Sequence, residues 1–237
     1  MQDGRAKGDG RADRRAQKRL RRAWARGVMD GILGQLGPGD LCLDCGANVG
    51  EVSGPIAETG AAVYAFEPDP VAFAALSVRL SGHPAARAVN AAVGVAAGTA
   101  TLHRAARFDD DPLAATVSST LMAGKRDSDA GGANDLAVEV LSLPDLLDDL
   151  LSGRAPAGLP ALPSPAPRRV ALLKLDIEGG ELELLPALHA RDLLSRIGCT
   201  LVETHQRKFP DLRRDFLAMR RDIAQHYPSR KVNLDWI

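Results

Sequence analysis

The sequence is poor in the residues that mark several specialised protein classes. Among 237 residues there are three cysteines, two tryptophans and two tyrosines, and 30 Lys plus Arg balance 30 Asp plus Glu. So few cysteines, and an odd number of them, exclude a disulfide framework and favour a reducing compartment. A net charge of zero removes any overall attraction to nucleic acid or to an anionic membrane. We therefore expect no nucleic-acid partner.

Long apolar runs are absent as well. No stretch approaches the roughly 20 apolar residues that a membrane-spanning helix needs. The polar N-terminal segment also lacks the apolar centre of a secretory signal peptide. These absences predict a cytoplasmic protein.

The N-terminal segment breaks the charge balance. Residues 1–27 hold ten Lys or Arg against three Asp. Docking on phosphate or on a membrane surface is one interpretation, but basic runs more often form solvated faces, so we favour a tail leading into a solvated helix that begins near Asp13. We assign residues 1–37 to this tail and helix, and residues 38–237 to one domain.

From Leu41 onward, short apolar runs alternate with helical patterns. This alternation is typical of a parallel sheet covered by helices, and it predicts the α/β class with a doubly wound, mostly parallel sheet. The predicted strands are residues 41–45, 61–66, 87–93, 170–176 and 198–204.

Three helices and a last strand complete the predicted domain. Asp69 is a candidate N-cap followed by Pro70 at the first helical position. The helix after the first strand contains Pro55, so we expect it to be short or kinked. A later helix spans residues 210 to about 226, and the pattern of residues 231–237 predicts one more strand.

Two stretches interrupt the alternation. Residues 104–134 are rich in Asp, Ala, Ser and Gly and predict a long loop over the top of the sheet, of the kind that forms lids. Residues 152–169 contain five prolines and predict a semi-rigid surface insertion, to which we assign no chemistry.

The pair Cys42 and Cys45 has the C-x-x-C spacing of metal and redox sites. Both lie in a predicted buried strand, where residues three apart point to opposite faces of the sheet. We therefore expect these thiols to fill core space.

The strongest local signal is an apolar strand that runs into a turn with Gly46 and Gly50. Glycines let a ligand approach the backbone closely, and the helix that follows offers free amide groups to an anion. Glu67 ends the next strand, 21 residues after Gly46, where an acid can bind both ribose hydroxyls. Together these features predict a nucleoside cofactor.

Three details favour S-adenosylmethionine over a nicotinamide. Asn48 replaces the middle glycine that a pyrophosphate requires. Asp44 precedes the turn and can bind the ammonium group of a methionine moiety. No second domain for a hydride acceptor is evident. A nicotinamide-dependent oxidoreductase and a non-catalytic binding module remain the alternatives, the latter because of Pro55 and a short C-terminal end.

A second group of polar residues follows from alternation along residues 172–178. Period two places Lys174, Asp176 and Glu178 on one face, near the carboxyl end of a central strand, where open α/β sheets bind ligands. Buried charges are costly unless they are used or paired, so we interpret this group as catalytic. The alternative is that Lys174 merely pairs with an acid.

The same residues suggest how an alcohol acceptor loses its proton. Asp176 or Glu178 can hydrogen-bond the hydroxyl, and His205, beside Glu203 at the end of the last core strand, is the other natural base. A second option, ranked lower, is that Asp176, Glu178 and Glu203 hold Mg²⁺, which would lower the pKa of the hydroxyl.

The chain resembles the FkbM family of class I methyltransferases. The resemblance rests on four segments in order, of which the Lys-x-Asp-x-Glu-Gly-x-Glu string is the most specific. These segments are residues 43–50, 66–68, 90–94 and 173–181.

The resemblance implies a Rossmann-like fold with a seven-stranded sheet, S-adenosylmethionine as donor, and O-methylation of a sugar or natural-product hydroxyl. It also implies roles by position: the methionine end for Asp44, Gly46, Asn48 and Gly50, the ribose for Glu67, and the adenine for Asn90, Ala91 and Val93. Only one strand follows the late helix, where the family has two. Such an unfinished sheet edge can pair with another chain, so a homo-oligomer is a further expectation.

Overall fold

The computed structural model describes residues 5–104, 111–116, 119–122, 125, 132, 134–162 and 169–236. Among these residues the strands, in chain order, are β1 (Asp40–Cys45), β2 (Ala62–Phe66), β3 (Ala86–Val89), β4 (Ala92–Gly94), β5 (Gly98–Leu102), β6 (Leu136–Ser142), β7 (Arg169–Leu175), β8 (Cys199–Val202) and β9 (Val232–Asn233). The helices are α1 (Arg5–Leu33), α2 (Ser53–Glu58), α3 (Pro70–Leu80), α4 (Pro112–Ala115), α5 (Leu143–Leu151), α6 (Glu181–Ala190), α7 (Leu193–Arg196) and α8 (Arg213–His226).

The main sheet has six parallel strands in the order β3-β2-β1-β7-β8-β9. The chain first builds outward from β1 to β3 and then returns to the other side of β1 with β7. The strand order therefore reverses between β1 and β7, and open α/β sheets bind ligands at the carboxyl ends of the strands on either side of such a reversal. This confirms the predicted α/β, doubly wound, Rossmann-like sheet.

Helices cover both faces of this sheet, which explains why its central strands are almost wholly apolar. One face packs under α5, α6 and α8 and includes Leu43 and Leu173. The other face packs under α2, α3 and the C-terminal half of α1 and includes Val63 and Leu172.

The two cysteines of β1 lie where the alternation predicts. Cys42 belongs to one core cluster and Cys45 to the cluster on the opposite face. All three thiols are free, and burial raises the pKa of Cys42 to about 12. The prediction that Cys42 and Cys45 point to opposite faces of the sheet and fill core space is confirmed.

Helix starts follow the sequence signals in part. Asp69 caps α3 by accepting a hydrogen bond from the backbone N of Val71, and Pro70 is the first helical residue. The helix that contains Pro55 is short, as expected, with six residues. The prediction that α1 begins near Asp13 was wrong, because the helix already begins at Arg5.

The predicted strand at residues 87–93 was also wrong, because it is two strands in two sheets. The backbone turns between them, with the amide of Ala91 donating to the carbonyl of Val89. The side-chain amide of Asn90 donates to the carbonyls of Glu67 and Pro68 and so holds this turn. Strand β4 then pairs with β6 in a second sheet, of order β4-β6-β5.

This second sheet occupies part of the region where no regular structure was predicted. Strands β5 and β6 and helix α5 were missed, although β6 shows the alternating burial of a half-exposed strand. Of the predicted loop at 104–134, the described part contains α4 and, at Thr120, a bridge to His103. The rest of that loop lies outside the described residues.

The Pro-rich insertion is anchored to the edge of the main sheet. The hydroxyl of Tyr64 donates to the carbonyl of Pro160 at 2.7 Å, and Arg87 Nε donates to the carbonyl of Ala161 at 2.9 Å. Residues 163–168 of the insertion lie outside the described residues.

The C-terminal strand is shorter than predicted. Only Val232 and Asn233 pair with β8, because the side chain of Asn233 accepts a hydrogen bond from the amide of Asp235 and turns the chain. The main sheet therefore has six strands in the described part of the chain, one fewer than the resemblance implies. No described helix is both long and apolar enough to cross a membrane. The cytoplasmic location and the homo-oligomer stay predictions.

Candidate active site

The turn after β1 is built for close backbone contacts. Gly46 has a φ of +78°, and a Cβ there would lie 1.8 Å from the carbonyl oxygen of Asp176. The amides of Gly46 and Ala47 both donate to the carbonyl of Phe66. Asn48 also adopts a left-handed conformation, with a φ of +47°. The glycine at 46 is therefore required by geometry, as the motif indicates.

A buried ion pair supports this turn from below. Lys174 Nζ donates to the carbonyl of Gly46 at 2.7 Å and lies 3.1 Å from Asp44 Oδ1 and 3.5 Å from Asp176 Oδ2. Asp44 Oδ2 accepts a hydrogen bond from Ser53 at 2.6 Å. Burial alone would lower the pKa of Lys174, but the Asp44 and Asp176 carboxylates raise it overall.

The contacts of these residues bear on two predicted roles. Lys174 pairs with Asp44 and Asp176, as the alternative interpretation expects. Its catalytic role stays a prediction. Asp44 is fully buried behind the turn, so an ammonium ligand role for it also stays a prediction.

Glu67 ties the turn to the next loop. Its Oε2 accepts from the amide of Asn48 and its Oε1 from the amide of Asp69, both at 2.8 Å. Burial raises the pKa of Glu67 to about 7. Asp69 in turn binds the guanidinium of Arg104. The carboxyl of Glu67 thus has a fixed position at the carboxyl edge of the sheet.

A cavity follows this edge from β4 to β7. Its apolar end is lined by Pro68, Val93 and Leu102, and its middle by Glu67 and Asn48. Its other end is lined by Gly46, Asp176 and Glu178, and residues 119–121 close one side. We call this the donor cavity. Asn48 also donates to the hydroxyl of Thr116, which fastens the covering loop to the turn.

The remaining predicted cofactor residues lie behind the wall of this cavity. Gly50 has a φ of +82°, and a Cβ there would lie 2.9 Å from Leu76. Asn90 is exposed and shapes the loop that carries Val93, while Ala91 is buried. Asp44, Gly50, Asn90 and Ala91 do not line the cavity, and their roles in binding the cofactor stay predictions.

A histidine and four carboxylates meet beyond the polar end of the donor cavity. His205 is 3% exposed, and its Nδ1 lies 3.1 Å from Glu181 Oε1. Its Nε2 lies 3.4 Å from Glu178 Oε2, 3.5 Å from Asp176 Oδ1 and 3.7 Å from Glu203 Oε1. This nitrogen makes no hydrogen bond to any described residue.

The charges around His205 favour its protonated form. Burial alone would lower the pKa of His205, but the bond to Glu181 and the nearby Glu178 and Asp176 carboxylates raise it overall. In the neutral form of His205, with Nδ1–H bound to Glu181, Nε2 can take a proton from a ligand.

Glu181 is a site residue that our sequence analysis did not single out. Its carboxylate is fully buried and accepts hydrogen bonds from the amides of Ile177 and Gly179 as well as facing His205. Its position at the end of the string 173–181 was the available signal. Glu181 therefore fixes both the turn after β7 and the orientation of the imidazole.

Glu178 is held by lysines that the sequence analysis also missed. Lys208 Nζ lies 2.6 Å from Oε1, and Lys125 Nζ lies 2.9 Å from Oε2. Burial alone would raise the pKa of Glu178, but His205 and these two lysines lower it overall. Glu178 has a φ of +53°, an unusual conformation that its surroundings must maintain.

A second cavity, of about 810 Å³, opens on the other side of His205. Glu203 and His205 line its inner end, while Leu20, Arg21 and Trp24 of α1 form a wall. Burial, and then repulsion from Asp176, raise the pKa of Glu203 to about 7. We call this the acceptor cavity.

The residues that could bind a metal differ in part from the predicted ones. Asp176, Glu178 and His205 each offer a ligand atom, all within 4.8 Å of one another, whereas Glu203 is not part of this group. However, Lys125 and Lys208 already compensate the charge of Glu178. A divalent ion there would lie close to these two ammonium groups, whose charge would oppose its binding, and the metal role stays a prediction.

Comparisons with known proteins bear on the family of the chain. No curated protein sequence matches the chain. A crystal structure of the 23S rRNA methyltransferase ErmE is 30% identical over 27% of this chain and 28% of that chain, with a TM-score of 0.25. The match spans little more than a quarter of ErmE. The methyltransferase FkbM domain matches residues 44–227. Since that match covers well over half of the chain and all the motifs of the donor cavity, the protein belongs to the FkbM methyltransferase family.

Proposed function

We propose that the protein transfers a methyl group from S-adenosylmethionine to a hydroxyl group of a small molecule. The observation that carries this proposal is the position of His205 between two cavities. Asp176 and Glu178 border the donor cavity, Glu203 borders the acceptor cavity, and His205 Nε2 faces all three carboxylates.

The donor cavity has an apolar part and a polar part, as S-adenosylmethionine requires. Pro68, Val93 and Leu102 offer an apolar slot for the adenine, and Glu67 stands where the ribose hydroxyls would bind. The turn at Gly46 and Asn48 would receive the methionine end. Bound S-adenosylmethionine supplies an electrophilic methyl group, whose bond to sulfur breaks as the bond to the acceptor oxygen forms.

The residues around His205 would remove the proton of the acceptor hydroxyl. Glu181 accepts a hydrogen bond from Nδ1–H of His205, which leaves Nε2 as the basic nitrogen. His205 Nε2 takes the hydroxyl proton, and the Asp176 and Glu178 carboxylates stabilise the imidazolium that results. The two cavities hold donor and acceptor on opposite sides of this group, which contributes by orientation.

Calorimetry and product analysis test this proposal. The protein should bind S-adenosylmethionine and not NAD, which separates it from the oxidoreductase alternative. With hydroxylated acceptors it should release S-adenosylhomocysteine. A non-catalytic module would bind the donor and release nothing.

A pair of histidine variants provides the matched control. His205→Gln should reduce turnover by about 10²- to 10⁴-fold, the usual contribution of a general base, with donor affinity retained. His83→Gln, at a position outside both cavities, should leave turnover unchanged. Equal activity in both variants would remove His205 from the mechanism.

A further inference from the structure

We infer that the acceptor cavity is built for a molecule that combines a ring with an anionic group, a phosphate or a carboxylate, and that Trp24, Arg21 and Arg207 recognise it. This inference rests on the proposed methyl transfer, because it concerns the acceptor side of His205. It adds a role for α1, which lies outside the part of the chain that carries the methyltransferase motifs.

Helix α1 is fixed on the domain by one face. Ala25 is 2% exposed, and Val28, Met29 and Ile32 pack against the core cluster that covers β1 and β2. The wall that α1 gives to the acceptor cavity is therefore part of the fold. Residues Leu20, Arg21 and Trp24 project from this anchored helix to the cavity.

Large apolar side chains are exposed at this wall. Six large hydrophobic residues are exposed in the described part of the chain, and two of them, Leu20 and Trp24, border this one cavity. Trp24 is 49% exposed. A flat indole at a cavity mouth offers an apolar face to a ring and an N–H group to its polar substituents.

The charges of the cavity leave a positive excess. Lys208 is paired with Glu178, and Asp235 is paired with Arg220. The pKa of Glu203, raised to about 7 by burial, makes this carboxyl a weak source of negative charge at neutral pH.

Two guanidinium groups remain uncompensated. Arg21 and Arg207 line the cavity, are exposed, and make no hydrogen bond or ion pair with any described residue. Guanidinium groups bind phosphates and carboxylates through paired hydrogen bonds. An anionic group on the acceptor would meet both of them.

The arrangement also orients the acceptor. Trp24 and Arg21 lie on α1, while Glu203 and His205 follow β8 at the inner end of the cavity. A ring that stacks on Trp24 with its anion at the arginines would direct a hydroxyl toward His205. Acceptor selection and proton removal would thus lie at opposite ends of one cavity.

Binding of simple probes tests the inference. Tryptophan fluorescence and calorimetry would follow titration with glucose 6-phosphate, glucuronate, glucose and inorganic phosphate, and the fluorescence change that depends on Trp24 would be absent in Trp24→Leu. At least one anionic sugar should bind at least tenfold more tightly than both glucose and phosphate. The double variant Arg21→Gln/Arg207→Gln should weaken this binding about tenfold or more, since bonds to charged groups are involved. Trp24→Leu should weaken it in the calorimeter.

A matched control removes the same charge elsewhere. Arg22→Gln/Arg214→Gln changes two exposed arginines that do not line the cavity, and it should leave sugar binding within about twofold of the wild type. Glucose binding as tightly as both anionic sugars, no binding of either anionic sugar, or equal losses in the two double variants would each overturn the inference. Donor affinity is measured in parallel. If the wild-type protein does not bind S-adenosylmethionine, the proposed function itself is refuted.

Discussion

Glu181 Oε1 lies 3.1 Å from Nδ1 of His205, and both side chains are buried. The carboxylate also accepts two backbone hydrogen bonds from the turn after β7, so it cannot rotate freely. The orientation of the imidazole therefore depends on a residue that lines neither cavity. We describe Glu181 as a positioning residue.

Changing Glu181 should alter the pH dependence of catalysis. The deprotonated form of His205 is the active base, so activity should rise with pH through its pKa, which Glu181 helps to raise. In Glu181→Gln the pKa of His205 should fall, so the acidic limb of the profile of kcat against pH should move to lower pH. The value of kcat should also fall roughly tenfold or more. A profile identical to that of the wild type would contradict this role.

Gly46→Ala should destabilise the protein by more than a strained backbone angle alone. Gly39→Ala is the control, because Gly39 has a φ of +97° but no atom within 4 Å of the place where a Cβ would lie. The control should cost about 1–2 kcal/mol in free energy of unfolding. Gly46→Ala adds a steric clash with the carbonyl of Asp176. It should lower the free energy of unfolding, measured by urea denaturation, clearly more than the control, and it should abolish donor binding.

Lys174→Met should leave Asp44 as an uncompensated buried charge. Removing one partner of a buried ion pair costs about 3–5 kcal/mol. The double variant Lys174→Met/Asp44→Asn should recover part of this loss, because no charge is then stranded. Urea denaturation of both single variants and the double variant gives the coupling energy. Additive losses would show that the pair is not coupled.

Stability should fall as pH rises from about 4.5 to about 7. Burial raises the pKa of Glu67 and of Glu203 to about 7 from an ordinary value of 4.5, so both acids favour the folded state when protonated. Their contribution is complete below about pH 4.5 and lost as pH rises through 7. The raised pKa of His205 acts in the same direction, since its charged form favours folding.

The variant Glu67→Gln isolates one of these groups. It should lose less stability than the wild type between about pH 5 and about pH 8, as measured by urea denaturation at both pH values. Glu51→Gln, an exposed position on the same turn, is the control and should keep the slope of the wild type. A steeper slope in Glu67→Gln would contradict the assigned direction.

Removal of divalent ions should leave turnover within about twofold. Two lysines already compensate Glu178, so the proton transfer assigned to His205 needs no metal. Turnover before and after treatment with EDTA, with Mg²⁺ added back, is the measurement. A loss of turnover with EDTA and its recovery with Mg²⁺ would support a metal site at Asp176, Glu178 and His205.

Local pattern was enough to predict the strands that carry the site. Residues around Gly46, Glu67 and Asp176 all lie at the carboxyl ends of parallel strands, as their apolar runs and turn residues indicate. Two errors occurred where a side chain turned the backbone. Asn90 separates β3 from β4, and Asn233 ends β9, and neither effect is visible in hydrophobic periodicity.

The second sheet was missed for a related reason. Strands β5 and β6 are separated by more than 30 residues, and a strand of modest hydrophobicity is stabilised by its partner more than by its own sequence. Residues 119–121, which lie between these strands in the chain, line the donor cavity, and loop composition did not reveal this.

The sequence by itself determined the order of strands and turns, the need for glycine at 46 and the acids that follow β2 and β7, because these depend on neighbours along the chain. Tertiary structure alone decided that Glu181 faces His205, that Lys125 and Lys208 hold Glu178, and that α1 walls the acceptor cavity. The physical reason is that these contacts join segments far apart in the chain. Hydrophobic periodicity reports which face of an element is buried, and it carries no information about which partner that face meets.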